Sequence, residues 1–213
     1  MNQPVKLFLG KPSLCLTGFM FSGKSSVARA LSSNLGLVYV DLDNRIVELA
    51  GKSIEQIFSE DGEEAFRALE RRVVAEVLPM PGRVVAAGGG AIIDPGNRRI
   101  MLENSCVVWL KASPEAVLTR LRASRGKVRP LLEVEDPAAE IRRLMDERQA
   151  LYEQCDLTIV TDGLGVGAVA RRIIETLKRE LRERRMNRGS ASVAQTVAEN
   201  RHGGCECTEM SKK

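Results

Sequence analysis

The sequence predicts an α/β fold in which a five-stranded parallel sheet lies between two layers of helices. Two observations predict it: short apolar runs alternate with amphipathic stretches, and glycines follow the first and third apolar runs. Alternation of strand and helix is typical of parallel βαβ units, whose right-handed crossovers place helices on both faces of the sheet. In such a sheet a ligand site is expected at the carboxyl ends of the strands.

Five apolar runs predict the strands of this sheet. They are SLCLT from Ser13, LVYVDLD from Leu37, RVVAAGGG from Arg83, CVVWL from Cys106 and LTIVT from Leu157. Each run is short and apolar, as strands buried on both faces are. The second run ends in aspartates and the third in glycines, so polar or small residues occur where a ligand is expected.

Amphipathic stretches between these runs predict the helices. Helices are expected over residues 24–35, 62–78, 136–154 and 166–181, with short helical pieces over 45–58 and after Asp94. The stretch SPEAVLTRL carries a full set of helix-start signals. Ser113 is a good N-cap, Pro114 fits the first helical position, and Glu115 favours the positive end of the helix dipole.

The composition fits one soluble globular domain. Hydrophobic residues make up 44% of the 213 positions and charged residues 28%, which allows a buried core. We expect the domain over residues 13–183, after a lead-in of residues 1–12. Residues 184–213 are polar with few large apolar side chains, so a disordered tail is expected there.

Composition also limits the partners and the compartment. No apolar run is long enough to span a bilayer, and the N-terminus lacks the features of a secretory signal. We therefore expect a cytoplasmic monomer with no membrane partner and with its five cysteines reduced. The basic stretch KRELRERRMNR has interleaved glutamates and no aromatic residue, so no nucleic-acid partner is expected.

The only histidine in the sequence, His202, lies in the predicted tail. Histidine-based nucleophilic catalysis and histidine-rich zinc sites are therefore excluded from the domain. A tail site formed by His202, Cys205 and Cys207 would lack a fourth zinc ligand. Proton transfer in the domain must use carboxylates, lysine, tyrosine or water.

The strongest motif is GFMFSGKS, which follows the first predicted strand and leads into the first predicted helix. Gly18, Gly23, Lys24 and Ser25 match the phosphate-loop pattern of a glycine, four variable residues and Gly-Lys-Ser/Thr. Backbone N–H groups of such a loop bind phosphate oxygens, the lysine reaches the outer phosphates and the serine hydroxyl ligates Mg²⁺. The motif therefore predicts a nucleotide bound together with Mg²⁺.

Several other polar residues have two interpretations from spacing alone. Asp41 and Asp43 lie two apart on a predicted strand, so they form either a pair facing the site or a solvated pair at the strand end. Arg67 and Glu70 can pair across one helical turn, which is most often a surface arrangement. The glycines at 88–90 permit either close backbone approach to a ligand or simply a tight turn.

Basic residues cluster near the segment RPLL. Arg122, Arg125, Lys127 and Arg129 lie in or beside a loop without periodicity, which either closes over phosphates or is a charged solvated loop. Arg148, on the following predicted helix, is by itself weak evidence for a site.

Taken together, these features resemble the shikimate kinase family. The segments that carry the resemblance are Gly18-Phe19-Met20 leading into GKS, Asp41-x-Asp43, GEEAFRALE, the Gly88 triplet, RPLL and DERQALYEQCD. They occur in that family's order and spacing over about residues 14–181. The resemblance implies a fold of the phosphate-loop nucleoside monophosphate kinase group, with a mobile lid over residues 123–135. It also implies ATP-dependent phosphorylation of the 3-hydroxyl of shikimate, in the pathway to chorismate and aromatic amino acids.

The resemblance further implies roles for individual residues. ATP binding is implied for Gly18, Phe21, Ser22, Gly23, Lys24, Ser25, Ser26, Arg122 and Arg129, with Arg122 against the adenine. Shikimate binding is implied for Asp43, Arg67, Gly88, Gly89, Gly90 and Arg148, with the two arginines on its carboxylate. Mg²⁺ would lie near Ser25 and Asp41. Asp43 would be the base, and Lys24 and Arg129 would stabilise the transferring phosphoryl group.

The chain departs from the family pattern at a few positions. Phe21 stands where the family usually has glycine, so nucleotide binding is expected to survive if its backbone stays at a negative φ, with its ring pointing outward or covering the nucleotide. Ser26 and Ala28 replace the usual threonine and glycine, and Ser26 keeps a hydroxyl. A proline often found in the loop before the last helix is absent near Val166, which leaves the adenine contacts in GLGV open.

Two rival functions remain at this stage. One is a kinase for another small acid, such as gluconate, which substrate screening separates from a shikimate kinase. The other is a nucleotide-dependent binding protein that has lost catalysis. Against it, the sequence retains every residue that the resemblance assigns to catalysis.

Overall fold

A five-stranded parallel sheet organises the fold of this computed structural model, which describes residues 8–124 and 134–202, with side chains to residue 184 and at residue 186. The strands are β1 (Ser13–Thr17), β2 (Val38–Asp41), β3 (Arg83–Ala86), β4 (Ser105–Lys111) and β5 (Leu157–Val160). Their order across the sheet is β2-β3-β1-β4-β5, and every neighbouring pair is parallel. The predicted fold class is confirmed.

Helices connect the strands and flank the sheet. They are α1 (Lys24–Leu35), α2 (Leu42–Ala50), α3 (Ile54–Gln56), α4 (Gly62–Val77), α5 (Pro95–Asn104), α6 (Pro114–Ala123), α7 (Pro137–Tyr152) and α8 (Val166–His202), with a π-helical turn over Ile57–Asp61. The predicted N-caps form: the Ser113 hydroxyl accepts a hydrogen bond from Ala116 N at 3.2 Å. The Asp136 carboxylate accepts bonds from Ala138 N and Ala139 N, so polar side chains fix where these helices begin.

Two apolar clusters, one on each face of the sheet, form the core. Alternate residues of β1 point to opposite faces, with Cys15 in the cluster beneath α2, α4 and α5 and Leu14 and Leu16 in the cluster beneath α1 and α8. Every residue of β1 is buried, which explains why its sequence reads as a continuous apolar run. The layered arrangement predicted from the alternation of elements therefore follows from burial of both sheet faces.

Described structure adjoins both ends of the predicted domain, whose boundaries at residues 13 and 183 stay a prediction. Phe8, inside the predicted lead-in of residues 1–12, is fully buried in the cluster beneath α1 and α8. The last helix is assigned to His202 rather than to about residue 181, since no proline interrupts that stretch. Side chains beyond residue 186, and all of residues 203–213, lie outside the described part, so disorder over residues 184–213 stays a prediction.

Most of the predicted lid cannot be compared with the structure, because residues 125–133 lie outside the described residues. None of the helices in the described ranges is both long enough and apolar enough to cross a membrane.

The strand order places the loop after β1 next to the loop after β3. β1 lies between β3 and β4, so the loop after β1 and the loop after β3 leave the same edge of the sheet side by side. Chain connections run in opposite directions from this point, and such a switch point in an open α/β sheet leaves a crevice at the carboxyl ends of the strands. Residues of the glycine-rich loop after β1, of Asp41-x-Asp43 and of the glycine triplet after β3 line cavities in this crevice.

Candidate active site

The backbone of the loop between β1 and α1 adopts, at each end of the loop, a conformation that favours glycine. Gly18 has a φ of +142°, and a Cβ placed there would lie 2.6 Å from the backbone oxygen of Leu110. Gly23 has a φ of +94° and caps the N-terminus of α1. The loop therefore passes tightly over β4 and turns directly into a helix N-terminus, which is the geometry that binds phosphate through backbone N–H groups.

Lys24 and its neighbours line a cavity of about 250 Å³ beside this loop, here called the phosphate-loop cavity. It is lined by Met20, Phe21, Gly23, Lys24, Ser25, Ser26, Asp41, Asp43, Ala87 and Gly89. The Lys24 ammonium donates to the carbonyls of Gly18 and Phe19 at 2.9 and 2.8 Å. These bonds hold the cation against the loop, within the cavity where phosphates are expected. Ser22, at 2% exposure, lies buried beneath the loop.

Phe21 differs from the expectation of a negative φ. Its φ is +60°, in the left-handed region, which costs a residue with a Cβ about 1–2 kcal/mol. The ring packs at the edge of a cluster that includes Phe19, Val117 and Leu144. Packing of the ring against this cluster offsets part of the strain.

Asp41 and Asp43 reach the cavity by a different route from the one predicted. β2 ends at Asp41 and α2 begins at Leu42, so the two aspartates do not alternate on one strand. Asp41 is the N-cap of α2, because its side chain accepts a hydrogen bond from Asp43 N at 3.0 Å. Tyr39 OH donates to the same carboxylate at 3.1 Å. The capping preference of aspartate thus ends the strand, and both carboxylates still line the cavity.

A second cavity, of about 240 Å³, adjoins the first and is here called the arginine cavity. It is lined by Met20, Asp43, Ile54, Phe58, Glu63, Phe66, Arg67, Glu70, Gly88, Gly89, Gly90 and Arg148. Met20, Asp43 and Gly89 line both cavities. Every residue predicted to bind the substrate lies around this space, although those residues are spread from Asp43 to Arg148 in the chain.

The pair formed by Arg67 and Glu70 is not the solvated surface pair that spacing alone favoured. Glu70 is 2% exposed, and its Oε2 lies 2.9 Å from Arg67 Nη1. Burial raises the pKa of the Glu70 carboxyl, while attraction to Arg67 opposes that rise. Glu63 accepts a further bond from Arg67 Nη2 at 3.0 Å. The guanidinium is therefore held at the cavity wall from two sides.

The glycines after β3 form turns and leave room for two side chains of the site, while close approach of their backbone to a ligand stays a prediction. Gly88 and Gly90 form turns, because Ala91 N donates to Gly88 O and Ile93 N to Gly90 O. A Cβ at Gly88 would lie 2.7 Å from an Asp43 carboxylate oxygen, and one at Gly90 would lie 2.9 Å from Arg67 Nη1. Glycine leaves the space that these two side chains occupy.

Arg148 lies on α7, across the arginine cavity from α4. It is 7% exposed, and its guanidinium carbon lies 5.8 Å from the centre of the Phe19 ring. A guanidinium over an aromatic face is favoured by the ring quadrupole, and this contact fixes the arginine beside the phosphate loop. The structure thus brings Arg67 and Arg148 to one cavity.

Tyr152 is a supporting residue that sequence reasoning missed. Its hydroxyl donates to Gly89 O at 2.7 Å, and its ring stacks on Trp109 at a centroid distance of 5.6 Å. Burial raises the pKa of Tyr152 to about 12, so the hydroxyl stays protonated and remains a donor. The segment DERQALYEQCD contained the tyrosine, but no spacing rule connects it to a glycine 63 residues away.

Two predicted nucleotide-binding arginines are not brought to these cavities by the described structure. Arg122 is exposed in the last turn of α6 and is not among the residues lining either cavity. Arg129 lies outside the described residues, so its role stays a prediction.

The polar groups of the phosphate-loop cavity fit phosphate and Mg²⁺. The ammonium of Lys24 and the helix N-terminus at Gly23 suit anionic oxygens, and the Ser25 hydroxyl and Asp41 carboxylate are hard oxygen ligands. Within residues 8–124 and 134–184, no group of three or more histidine, cysteine or acidic side chains is arranged to hold a metal. Mg²⁺ is usually held by few protein ligands together with substrate phosphates, which matches this arrangement.

Comparison with known proteins gives this site a family. A family model described as shikimate kinase matches residues 20–178. The chain belongs to the shikimate kinase family. A shikimate kinase of Parasynechococcus marenigrum (strain WH8102) is 42% identical over 179 residues, 84% of this chain and 93% of that protein. One of Deinococcus radiodurans is 42% identical over 164 residues, 77% of this chain and 82% of that protein.

Solved structures give the same family. A shikimate kinase from Acinetobacter baumannii in complex with shikimate superposes with a TM-score of 0.76 at 34% identity, over 80% of this chain and 94% of that one. A gluconokinase from Sinorhizobium meliloti 1021 has a TM-score of 0.53 at 16% identity. That second likeness shows a shared fold alone. The predicted family is thus confirmed at the level of sequence and of structure.

Proposed function

We propose that this protein transfers the terminal phosphoryl group of ATP to the 3-hydroxyl of shikimate, giving shikimate 3-phosphate and ADP on the way to chorismate and aromatic amino acids. The observation that carries the proposal is the junction of the two cavities at Asp43 and Gly89. A phosphate-binding loop lies on one side of the junction and two arginines on the other. A ring acid bound by the arginines through its carboxylate would then present a hydroxyl toward the phosphates.

The phosphate-loop cavity is suited to the donor side of the reaction. Phosphoryl transfer needs positioning and neutralisation of charge rather than covalent chemistry from the protein. ATP supplies the phosphoryl group, and Mg²⁺ lowers the charge on its phosphates. Lys24 would donate to the outer phosphates, while Ser25 and Asp41 would hold the metal. Arg129 would close over the phosphates, and Arg122 would contact the adenine.

Asp43 is suited to act as the base toward the attacked hydroxyl. It lines both cavities, so its carboxylate lies between the place expected for the phosphates and the place expected for the ring. A base must lie within hydrogen-bond reach of the proton that it accepts. The position of Asp43 at the junction supports this role for a hydroxyl that faces the phosphate-loop cavity.

Arg67 and Arg148 are suited to hold the substrate carboxylate. A guanidinium offers two parallel N–H donors to a carboxylate, which a lysine ammonium does not. The guanidinium of Arg67 carries five N–H donors. Its bonds to Glu63 and Glu70 use one donor on each of Nε, Nη1 and Nη2. Phe58 and Phe66, whose rings are 4.8 Å apart, line the same cavity and offer an apolar wall to the ring.

Replacing Arg148 with lysine is expected to raise the KM for shikimate about tenfold or more, with kcat within about threefold of wild type. The change keeps the charge but removes two-point contact, and a factor of ten corresponds to about 1.4 kcal/mol. Steady-state kinetics with shikimate varied at saturating ATP measure it. Arg143→Lys on the same helix is the matched control, because Arg143 is exposed and pairs with Glu140 and Glu147. An unchanged KM in Arg148→Lys would place that residue outside the binding site.

Glu70 is expected to make shikimate binding sensitive to mild acid. Burial, opposed by Arg67, sets the pKa of Glu70 above the ordinary value, so Glu70 gains a proton at a higher pH than a solvated glutamate does. Arg67 then loses one of its two charged partners, while Glu63 remains. As pH falls through this raised pKa, the KM for shikimate should rise in the wild type. Glu70→Gln should have a KM raised about tenfold at pH 7.5 and a flatter dependence below it.

The measurement is the KM for shikimate between pH 5 and pH 8 at saturating ATP. Glu64→Gln is the control, because Glu64 is exposed on the same helix. Equal KM profiles for Glu70→Gln and the wild type would mean that Glu70 does not hold Arg67 for binding.

The proposed function is tested by release of ADP in a coupled assay with ATP and Mg²⁺. ADP should appear with shikimate and not without it, and chromatography with mass detection should identify shikimate 3-phosphate. Turnover with gluconate but none with shikimate would replace this proposal with the rival kinase. Nucleotide binding without turnover on either acid would support the binding-protein alternative.

We further propose that the protein acts as a monomer in the cytoplasm, as the sequence led us to expect. Light scattering coupled to gel filtration tests the first part, and a mass near 23.4 kDa for this chain is expected. Fractionation of the producing cells tests the second.

A further inference from the structure

The strained residue of the phosphate loop has a partner that the sequence did not indicate. The carbonyl of Phe21 accepts a hydrogen bond from Arg120 Nη1 at 3.1 Å, although the two residues are 99 positions apart in the chain. Phe21 also has a positive φ, +60°, although it is not a glycine. The unfavourable backbone conformation and the charged contact thus occur at the same residue.

The same guanidinium reaches the segment that follows β5. Arg120 Nη2 donates to Thr161 O at 3.2 Å. Thr161 is 1% exposed, and its backbone N donates to Lys111 O at 2.9 Å, so this anchor point is tied to the end of β4. The planar guanidinium therefore joins the phosphate loop to the rigid carboxyl edge of the sheet. Bonds donated by a charged group are stronger than neutral ones, and the planar fork directs both at once.

We propose that Arg120 is a positioning residue for nucleotide binding, which holds the Phe21 peptide so that the loop keeps its phosphate-binding shape. The backbone N–H groups of a phosphate loop bind the anion, so the orientation of the peptides in the loop matters. The carbonyl of Phe21 faces Arg120, which is not among the residues lining the phosphate-loop cavity. Without Arg120, the left-handed conformation at Phe21 would lose its external partner.

Arg120 would thereby stabilise a left-handed backbone at a residue that is not glycine. Glycine adopts a positive φ at no steric cost, so a loop with glycine there would depend less on an external partner. Arg120 and Phe21 should therefore be energetically coupled. This coupling can be measured, because the effect of removing Arg120 on ADP affinity should be smaller when Phe21 is replaced by glycine.

The test uses the full chain and four variants: Arg120→Ala, Arg120→Lys, Phe21→Gly and the double variant Phe21→Gly/Arg120→Ala. ADP affinity is measured by titration calorimetry, and the KM values for ATP and shikimate by the coupled assay. Arg120→Ala should weaken ADP binding and raise the KM for ATP about tenfold, with the KM for shikimate within twofold. Arg120→Lys should recover part of the loss, since an ammonium can reach one of the two carbonyls.

In the Phe21→Gly background, removal of Arg120 should weaken ADP binding less than threefold. An effect of the same size in both backgrounds would overturn coupling through Phe21. Unchanged ADP affinity in Arg120→Ala, or equal rises in both KM values, would overturn the positioning role itself. Arg143→Ala, an exposed change on α7, controls for loss of a positive charge.

Thermal melting of each variant separates loss of fold from loss of loop geometry.

The inference rests on the proposed function only for its kinetic readout. Binding of ADP is measured without shikimate, so failure of the enzyme to act on shikimate would leave the calorimetric test intact.

Discussion

Replacing Lys24 with methionine is expected to lower kcat by about 10³-fold or more while leaving the fold in place. Loss of a single preorganised donor to transition-state charge commonly costs 10²–10³ in rate, and Lys24 provides a full positive charge. Methionine has a similar length and fills the same space, so the loop should lose an ammonium and little packing. Release of ADP at saturating ATP and shikimate measures kcat, and circular dichroism with thermal melting checks the fold.

The matched control for this variant is Lys52→Met. Lys52 is exposed and pairs with Glu60 and Asp61, away from both cavities. It should keep kcat within about twofold of wild type, since surface ion pairs contribute little. A Lys24→Met enzyme that is well folded and retains more than a tenth of wild-type kcat would contradict the assignment of the phosphate loop.

Replacing Asp43 with asparagine is expected to lower kcat by about 10²–10⁴-fold, the range that general acid–base catalysis contributes. Asparagine keeps the size and one acceptor oxygen, so it can still accept a hydrogen bond from a substrate hydroxyl. The KM for shikimate should therefore change by less than about fivefold. The separation of kcat from KM distinguishes loss of a base from loss of a binding contact.

Asp61→Asn controls for the loss of one surface carboxylate, because Asp61 is exposed and pairs with Lys52. Its kinetics should match the wild type. If Asp43→Asn instead raises KM strongly and leaves kcat near wild type, Asp43 holds the substrate without taking a proton from it.

Much of the fold follows from local rules that the sequence states directly. SLCLT forms β1 at the predicted residues, and α1 spans the predicted positions, because a run buried on both sheet faces and an amphipathic stretch have different periodicities. Ser113 caps α6 as expected, since an N-cap acts within three residues of chain. The prediction that Asp41 and Asp43 lie on one strand was wrong, because the capping preference of Asp41 ended β2 before Asp43.

The resemblance to a family added what spacing alone left open. From spacing alone, Arg67 and Glu70 are interpreted as a surface pair, and Arg148 is weak evidence for a site. Placement of these residues around one cavity depends on α4 and α7 meeting across the crevice, which no local pattern states. The motif set selected them because their order and spacing matched a known family.

The sequence by itself determined the layered sheet and the phosphate loop, because strand burial, helix caps and the Gly-Lys-Ser motif act over a few neighbouring residues. It also determined the family, through the order and spacing of motifs over about residues 14–181. Only the tertiary structure decided the burial of Glu70, the hydrogen bond from Tyr152 to Gly89 and the hydrogen bond from Arg120 to the carbonyl of Phe21. The physical reason is range: each of these contacts needs two or more elements packed at a distance of a few ångströms. Packing of whole faces sets that distance, and it is not a property of any one segment.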